Sequence, residues 1–177
     1  MKPQLGDTIL NRYTLVSSLR EEPGIQAWKA NDRVLAKDCQ LFIITNRSAF
    51  AAIDELAGRM AATRPDRVIP VLKYRMESDV LLIVMPVDSG QCLTDYMVDT
   101  AKPLSYSAIR SIIGECANVL REVIADTPSG IVITTDTVRV TTSGVQIADA
   151  PCATMLADTS ATDLRTDGPE RYAIRQL

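Results

Sequence analysis

The residues that most often carry enzymatic chemistry are sparse in this sequence. It contains no histidine, which excludes a Ser-His-Asp triad, a Cys-His pair and any histidine metal site. Its four cysteines, Cys39, Cys92, Cys116 and Cys152, show no CxxC spacing and therefore argue against a zinc site. Scattered cysteines of this kind are typical of reduced, mostly buried thiols in the cytoplasm. We therefore expect no metal and no cofactor.

Composition limits the classes of partner that this chain is expected to bind. The chain has 177 residues with a formal net charge of -3, and it contains no long basic run, so nucleic acid is not an expected partner. Hydrophobic residues make up 46% and charged residues 23%, which is an ordinary globular balance. The longest apolar run, from Val80 to Val84, is too short to cross a bilayer, and the N-terminus shows no signal-peptide pattern. We expect no membrane contact by this segment and a cytoplasmic location.

The first half of the chain alternates as strands do, with one change to helical spacing. The patterns predict strands at 13–19, 25–30 and 39–45, a helix from Ser48 to Ala62, and a pair of strands at 68–74 and 80–84. Asn46 or Ser48 is the expected helix cap. The pattern predicts an antiparallel sheet of about five strands beside one helix.

The second half begins with helical patterns. A short helix is predicted at 93–98 and a longer one at 105–125, with Ser105 as its cap. The longer helix has one apolar stripe: Ile109, Ile112, Ile113, Cys116, Ala117, Leu120, Val123 and Ile124. Short β segments are expected at 131–133, 138–141 and 145–147, the last two forming a hairpin. Residues 150–169 are expected to form a loop, and a further helix begins at Glu170.

The order of these elements, together with several short motifs, resembles the bacterial eukaryotic-type Ser/Thr protein kinases over roughly residues 5 to 177. The opening LNRYTL at 10–15, WKAND at 28–32, LIVM at 82–85, GQCL at 90–93 and GVQIAD at 144–149 resemble successive kinase segments. The resemblance implies an α+β, protein-kinase-like fold. Residues 1–88 would form the N-lobe, with a five-stranded antiparallel sheet and one helix, and 89–177 a partial, mainly helical C-lobe. The C-lobe would be truncated, because the segment from Glu170 resembles the start of its central helix and Leu177 falls in the second turn of that helix.

The catalytic parts implied by this resemblance are degenerate. Arg20, Glu22 and Ile25 stand at the three glycine positions of the phosphate loop, where adjacent carboxylates repel triphosphate and Pro23 supplies no amide. Phe42 replaces the phosphate-pairing lysine. The helix glutamate matches Glu55, or less well Asp54, but has lost its lysine partner. The hinge-like positions are Met85, Pro86 and Val87.

The base and metal positions have also changed. Residues 131–140, IVITTDTVRV, lack the catalytic-loop base and the metal-binding asparagine. Asp136 is a weak candidate for a displaced base, because nothing nearby in the sequence would activate a substrate. Asp149 matches the metal-binding aspartate, but Ala150-Pro151 follows it, and a loop-capping role fits it better.

The expected function is therefore that of a catalytically inactive pseudokinase, an interaction or regulatory module that resembles the cytoplasmic part of a larger envelope protein. The alternatives are a nucleotide-binding regulator or weak Ser/Thr kinase, and an unrelated α+β ligand-binding domain. Expected partners are an active Ser/Thr kinase, a phosphothreonine-binding domain, or a second copy through the uncovered stripe of helix 105–125. Four threonines in the activation-like segment 150–169 are candidate phosphorylation sites: Thr154, Thr159, Thr162 and Thr166.

Overall fold

The computed structural model describes residues 2–77, 79–99, 101, 103–126 and 131–153. They form an α+β protein of two compact units, one of Met1–Ala61 with Pro70–Val87 and one of Ala62–Ile69 with Asp88–Leu177. The sequence assigned 62–69 to the first unit. They belong to the second because Ile69 N donates to Ile147 O at 2.8 Å and Val68 bridges Ile147.

The first unit contains an antiparallel sheet of six strands. In chain order they are β1 Thr8–Ile9, β2 Tyr13–Glu22, β3 Ile25–Asp32, β4 Lys37–Ile44, β5 Lys73–Met76 and β6 Leu81–Pro86. Across the sheet the order is β1-β2-β3-β4-β6-β5. The antiparallel sheet is confirmed, but its strand number is six and not five. The extra strand, β1, has two residues and is too short to show an alternating pattern.

Both faces of this sheet are buried at its centre. All six residues from Cys39 to Ile44 in β4 are buried. One face contributes a cluster in which Tyr13, Trp28, Leu41 and Val84 take part, and Ile9, Leu10 and Val80 pack against it. Shifts of register along β2 bend the sheet, because each extra residue in a ladder increases the local twist. This continuous burial explains why β4 is apolar at every position from Leu41 to Ile44.

A helix covers the second face. Helix α1 spans Phe50–Thr63, after a 3-10 turn at Arg47–Ala49 in which Asn46 Oδ1 accepts a hydrogen bond from Ser48 N at 3.2 Å. The predicted helix is confirmed, and Asn46 is the cap. Its buried residues are Phe50, Ile53, Leu56, Ala57 and Met60, the set expected from helical spacing.

A partly buried ion pair closes one end of the β2–β3 ladder. Arg12 donates from Nε and Nη2 to the two carboxylate oxygens of Asp32, at 2.9 and 2.6 Å, and its guanidinium lies 5.2 Å from the centre of the Tyr13 ring. The backbone amides of Val34 and Leu35 also donate to Asp32. The hydrogen bonds from Arg12 lower the pKa of Asp32 to about 2, against the opposing effect of burial.

Asp32 should make stability depend on pH in the acid range. Because the pKa of Asp32 is lower in the folded protein than its ordinary value of 3.8, its ionised carboxylate stabilises the fold fully when the pH is above 3.8. This contribution is lost as the pH falls through about 2. We expect Asp32→Asn to cost on the order of 2 kcal/mol at neutral pH, allowing for the partly exposed arginine, and to flatten the acid limb. Urea unfolding between pH 2 and 7 measures both effects. Asp38→Asn, at an exposed surface pair, is the control and should change much less. Equal acid limbs in wild type and Asp32→Asn would refute the assignment.

The second unit combines two helices with a small sheet. It contains β7 Gln91–Cys92, α2 Leu93–Val98, α3 Tyr106–Asp126, β8 Val138–Thr141 and β9 Gly144–Ile147, and the sheet order is β7-β8-β9. Ser105 Oγ accepts a hydrogen bond from Ala108 N at 3.2 Å, so the predicted cap of α3 is confirmed. The hairpin of β8 and β9 is also confirmed.

Two predicted strands differ from the structure. Residues Ile131, Val132 and Ile133 are buried but lie in neither sheet, because an apolar triplet determines burial and not strand pairing. The strand predicted at 68–74 begins only at Lys73, because the chain at Val68 and Ile69 bonds to β9 instead. A 3-10 turn at Ala150–Cys152 begins the segment expected to be a loop. Within the part of the chain described here, no helix has the length and apolar character needed to cross a membrane.

Candidate functional site

The β2–β3 hairpin, which carries the residues that the resemblance places in a phosphate loop, is held by hydrogen bonds to the chain beside it. Pro23 and Gly24 form its two-residue turn, and Gly24 has φ +81°. Gly24 O accepts hydrogen bonds from Thr45 N at 2.9 Å and Asn46 N at 3.2 Å. A Cβ at Gly24 would lie 2.7 Å from Asn46 Cβ. The tip therefore packs closely against residues 45 and 46, and Pro23 supplies no amide for an anion.

Charged side chains on this hairpin pair with one another. Arg20 Nε lies 3.4 Å from Glu22 Oε1, and Lys2 forms an ion pair with Glu21. The hydrogen bond from Lys2 lowers the pKa of Glu21. Ile25, which the resemblance matches to the third glycine of a phosphate loop, is buried. Each of the two carboxylates at the end of this hairpin is thus paired with a cation, Glu21 with Lys2 and Glu22 with Arg20.

Phe42 lies in the middle of the sheet. It is opposite Ala27 on β3 and Ile83 on β6, and Ile83 is opposite Tyr74 on β5. Directly opposed residues point to the same face. A Cβ at Gly58 of α1 would lie 3.0 Å from Tyr74 Oη, so this is the face that carries α1. Phe42 is 1% exposed and occupies apolar core where the resemblance places a lysine.

The other degenerate positions have structural partners. Glu55 is exposed and accepts a hydrogen bond from Arg59 Nη2 at 2.6 Å, one turn along α1. Of the hinge-like residues, Met85 and Pro86 end β6, opposite Gln40 and Cys39, and the exposed Val87 follows. These contacts account for the side chains without a ligand.

Two aspartates of the second unit accept hydrogen bonds from neighbouring parts of the chain. Asp136 Oδ1 accepts a hydrogen bond from Thr94 Oγ1 at 2.6 Å. Asp149 is buried, has φ +57°, and its carbonyl accepts from Cys152 N at 2.8 Å as the 3-10 turn begins. Among the described residues no three His, Cys, Asp or Glu side chains come together as metal ligands.

The cysteines have the character of core residues. Cys39, Cys116 and Cys152 are buried, Cys92 is half-buried, and all four are free thiols. Burial raises the pKa of Cys39 and of Cys116 to about 11, so these thiols are protonated at neutral pH and unreactive. The expectation of mostly buried thiols is confirmed. The candidate phosphorylation sites Thr154, Thr159, Thr162 and Thr166 lie outside the described residues, as does the helix predicted from Glu170.

An apolar concavity of the second unit lies between α2 and α3. This α2–α3 groove has a volume of about 460 Å³. Its walls include Leu93, Tyr96 and Met97 from α2 and Ile109, Ile112 and Ile113 from α3. Met97 is 61% exposed, Ile109 42% and Ile113 43%. Such a cluster of large exposed apolar side chains is typical of a binding surface.

The groove divides the predicted stripe of α3 in two. Ile112, Cys116, Leu120 and Val123 are buried in the unit, whereas Ile109 and Ile113 face the groove. The sequence therefore predicted the apolar residues of α3 and an uncovered face. It did not reveal that Leu93, Tyr96 and Met97 form the opposite wall, because the approach of α2 depends on the contacts of β7 with β8. The only sequence signal for this wall of the groove was the set of apolar residues in the short helical pattern at 93–98.

Neither protein-family models nor curated protein sequences provide a match to this chain. The likeness to kinases therefore stays a prediction made from the order of elements and the short motifs.

Proposed function

We propose that this chain is a protein-interaction module, a kinase-like domain without phosphoryl transfer, and that the α2–α3 groove is its docking surface. The observation that carries the proposal is the groove itself, about 460 Å³ lined by large aliphatic side chains that are 42–61% exposed at Met97, Ile109 and Ile113. Exposing such side chains to water costs free energy that a partner would recover.

The geometry of the first unit supports the absence of phosphoryl transfer. Phosphate loops need backbone amides free to approach an anion, but Gly24 packs on Asn46 and its neighbour is a proline. The lysine position holds the buried Phe42. These contacts favour the interaction module over a nucleotide-binding regulator. The free thiols suit a reducing compartment, so the proposal places the module in the cytoplasm.

The groove favours a helical partner over an extended one. Its two walls are helices, so a third helix would pack into it with residues three and four apart as its contacts. A partner strand would need a free sheet edge, which the groove does not contain. We therefore expect an amphipathic helix whose apolar face carries at least two large side chains.

Affinity capture with matched surface variants tests the docking surface. The full chain would be immobilised in three forms: wild type, Ile113→Asp and Val34→Asp. Each protein recovered by capture would then be purified and titrated against these three forms. Val34 is 70% exposed in the turn between β3 and β4, so Val34→Asp adds the same charge to another exposed apolar site. We expect Ile113→Asp to weaken binding at least tenfold, because a charge would enter an apolar contact worth about 1.5–3 kcal/mol.

Equal binding by wild type and Ile113→Asp would exclude the groove as the docking surface. Loss of binding in Val34→Asp as well would show a general effect of added charge. Circular dichroism of each variant establishes that the fold is retained.

A further inference from the structure

The α2–α3 groove has an acidic rim on the side of α2. Asp99 lines the groove directly after the last residue of α2, and Asp95 lies one turn earlier, so the two carboxylates are on the same side of the helix. Both are exposed. Asp99 Oδ1 accepts a hydrogen bond from Ala101 N at 3.0 Å, and within the described residues neither aspartate has an ion pair.

Asp99 is unfavourably placed for the helix alone, because it follows the last residue of α2, where the partial negative charge of the helix end costs a carboxylate a few tenths to about 1 kcal/mol. Asp95 lies in the first turn of α2, where the dipole favours a carboxylate. A cationic group beside both side chains would offset the cost at Asp99 and would pair with two exposed negative charges. The occupant that fits this groove is therefore apolar on one face and basic at its flank.

The chain contains a segment with this chemistry. Residues 170–177 read ERYAIRQL, in which Arg171 and Arg175 are four apart, the same spacing as Asp95 and Asp99. In a helix Ile174 and Leu177 would share one face, with the two arginines beside it. The segment thus pairs an apolar face with a basic flank whose charge spacing matches that of the rim.

The connection is long enough to bring the segment to the groove. The described chain stops at Ala153, and seventeen residues, 154–170, separate it from Arg171. Extended, they span on the order of 50 Å, several times the radius of gyration of about 13 Å for a 100-residue domain. Tethering also gives a segment an effective concentration near the millimolar range, which favours the same chain over a second copy.

We propose that residues 170–177 lie in the α2–α3 groove of their own chain, with Ile174 and Leu177 against Ile109 and Ile113 and the two arginines beside Asp95 and Asp99. If the groove is the docking surface proposed above, a partner helix must displace this segment in order to dock. The regulatory role of the contact therefore rests on the proposed function. The contact itself does not require that any partner exist.

Dye binding by the full chain tests the contact. The dye anilinonaphthalene sulfonate fluoresces on exposed apolar surface, and we expect Ile174→Asp to raise its signal about threefold as the groove is uncovered. Hydrogen exchange should become faster in residues 93–98 and 106–113 and stay unchanged in the sheet of the first unit. Arg165→Glu, which alters a basic residue of the same tail outside the segment, is the control and should leave both signals unchanged.

A charge exchange makes the test independent of orientation within the groove. Arg171→Glu with Arg175→Glu, and Asp95→Lys with Asp99→Lys, should each raise dye binding, and the combined fourfold variant should return towards wild type. Additive effects in the fourfold variant would overturn the proposal. So would unchanged exchange in Ile174→Asp, or protection that increases with protein concentration, which would indicate a second copy in the groove.

Failure here is distinguishable from failure of the proposed function. If tail variants change nothing while Ile113→Asp still abolishes partner binding, the inference is wrong and the docking surface stands. If tail variants uncover the groove while partners bind Ile113→Asp normally, the contact stands and the docking surface is wrong.

Discussion

Replacing Phe42 by lysine is expected to destabilise the protein severely without creating a nucleotide site. Phe42 is 1% exposed and lies between Ala27 and Ile83 on the face that carries α1. A lysine there would lose the packing of the ring and bury an ammonium group without its carboxylate, because Glu55 is exposed and bonded to Arg59. Unpaired buried charges cost about 3–5 kcal/mol, which is a large part of the stability of an ordinary domain.

Two measurements check this expectation. Urea unfolding of wild type, Phe42→Lys and Phe42→Leu should show a small loss for leucine and a large one for lysine, since only lysine adds a charge. Titration with ATP and Mg²⁺ in a calorimeter should show no saturable binding by either wild type or Phe42→Lys. A ligand at 100 times its dissociation constant would add about 2.7 kcal/mol to stability, so a matched thermal-shift experiment is sensitive. Micromolar ATP binding by either protein would contradict the proposal of an inactive domain.

The second large effect is expected from Gly144→Ala. Gly144 begins β9 with φ +119°, a conformation that strains any residue with a side chain. A Cβ at this position would lie 2.5 Å from Glu115 Oε2 and 2.7 Å from Arg67 Nη1. Arg67 and Glu115 form an ion pair, and Glu115 Oε2 also accepts a hydrogen bond from Val145 N at 2.9 Å. The substitution should cost about 2 kcal/mol, mainly from backbone strain at this φ, with a smaller part from displacing the flexible ends of Glu115 and Arg67.

A second glycine provides the matched control. Gly114 lies in α3 and a Cβ there would meet nothing within 4 Å, so Gly114→Ala should stabilise the helix by about 0.5–1 kcal/mol. Thermal unfolding should therefore shift in opposite directions for the two variants. In a Glu115→Ala background Gly144→Ala should cost less, because one clashing group is gone. If Gly144→Ala costs the same in both backgrounds, strain of the backbone and not the contact with Glu115 explains the loss.

Elements whose signals are local could be predicted from the sequence. Period and capping residues predicted α1 with Asn46, α3 with Ser105 and the β8–β9 hairpin, and the structure confirms each of them. The continuous apolar run of β4 predicted a strand, and the burial of Cys39, Cys116 and Cys152 followed from residue type. These features depend on residues within a few positions, where spacing reports the face of a helix or strand directly.

The contacts between distant segments could not be predicted from the sequence. Ile131, Val132 and Ile133 have the composition of a strand, but no strand pairs with them in the described chain. Val68 and Ile69 bond to β9, far along the sequence, and so leave the β5 ladder. The α2–α3 groove arises in the same way, since apolar residues on two helices form a surface only when a third element sets their separation. A hydrophobic pattern depends on the residues of one segment. Strand pairing and groove formation depend on the interaction energy between two segments, which the pattern of either segment alone does not contain.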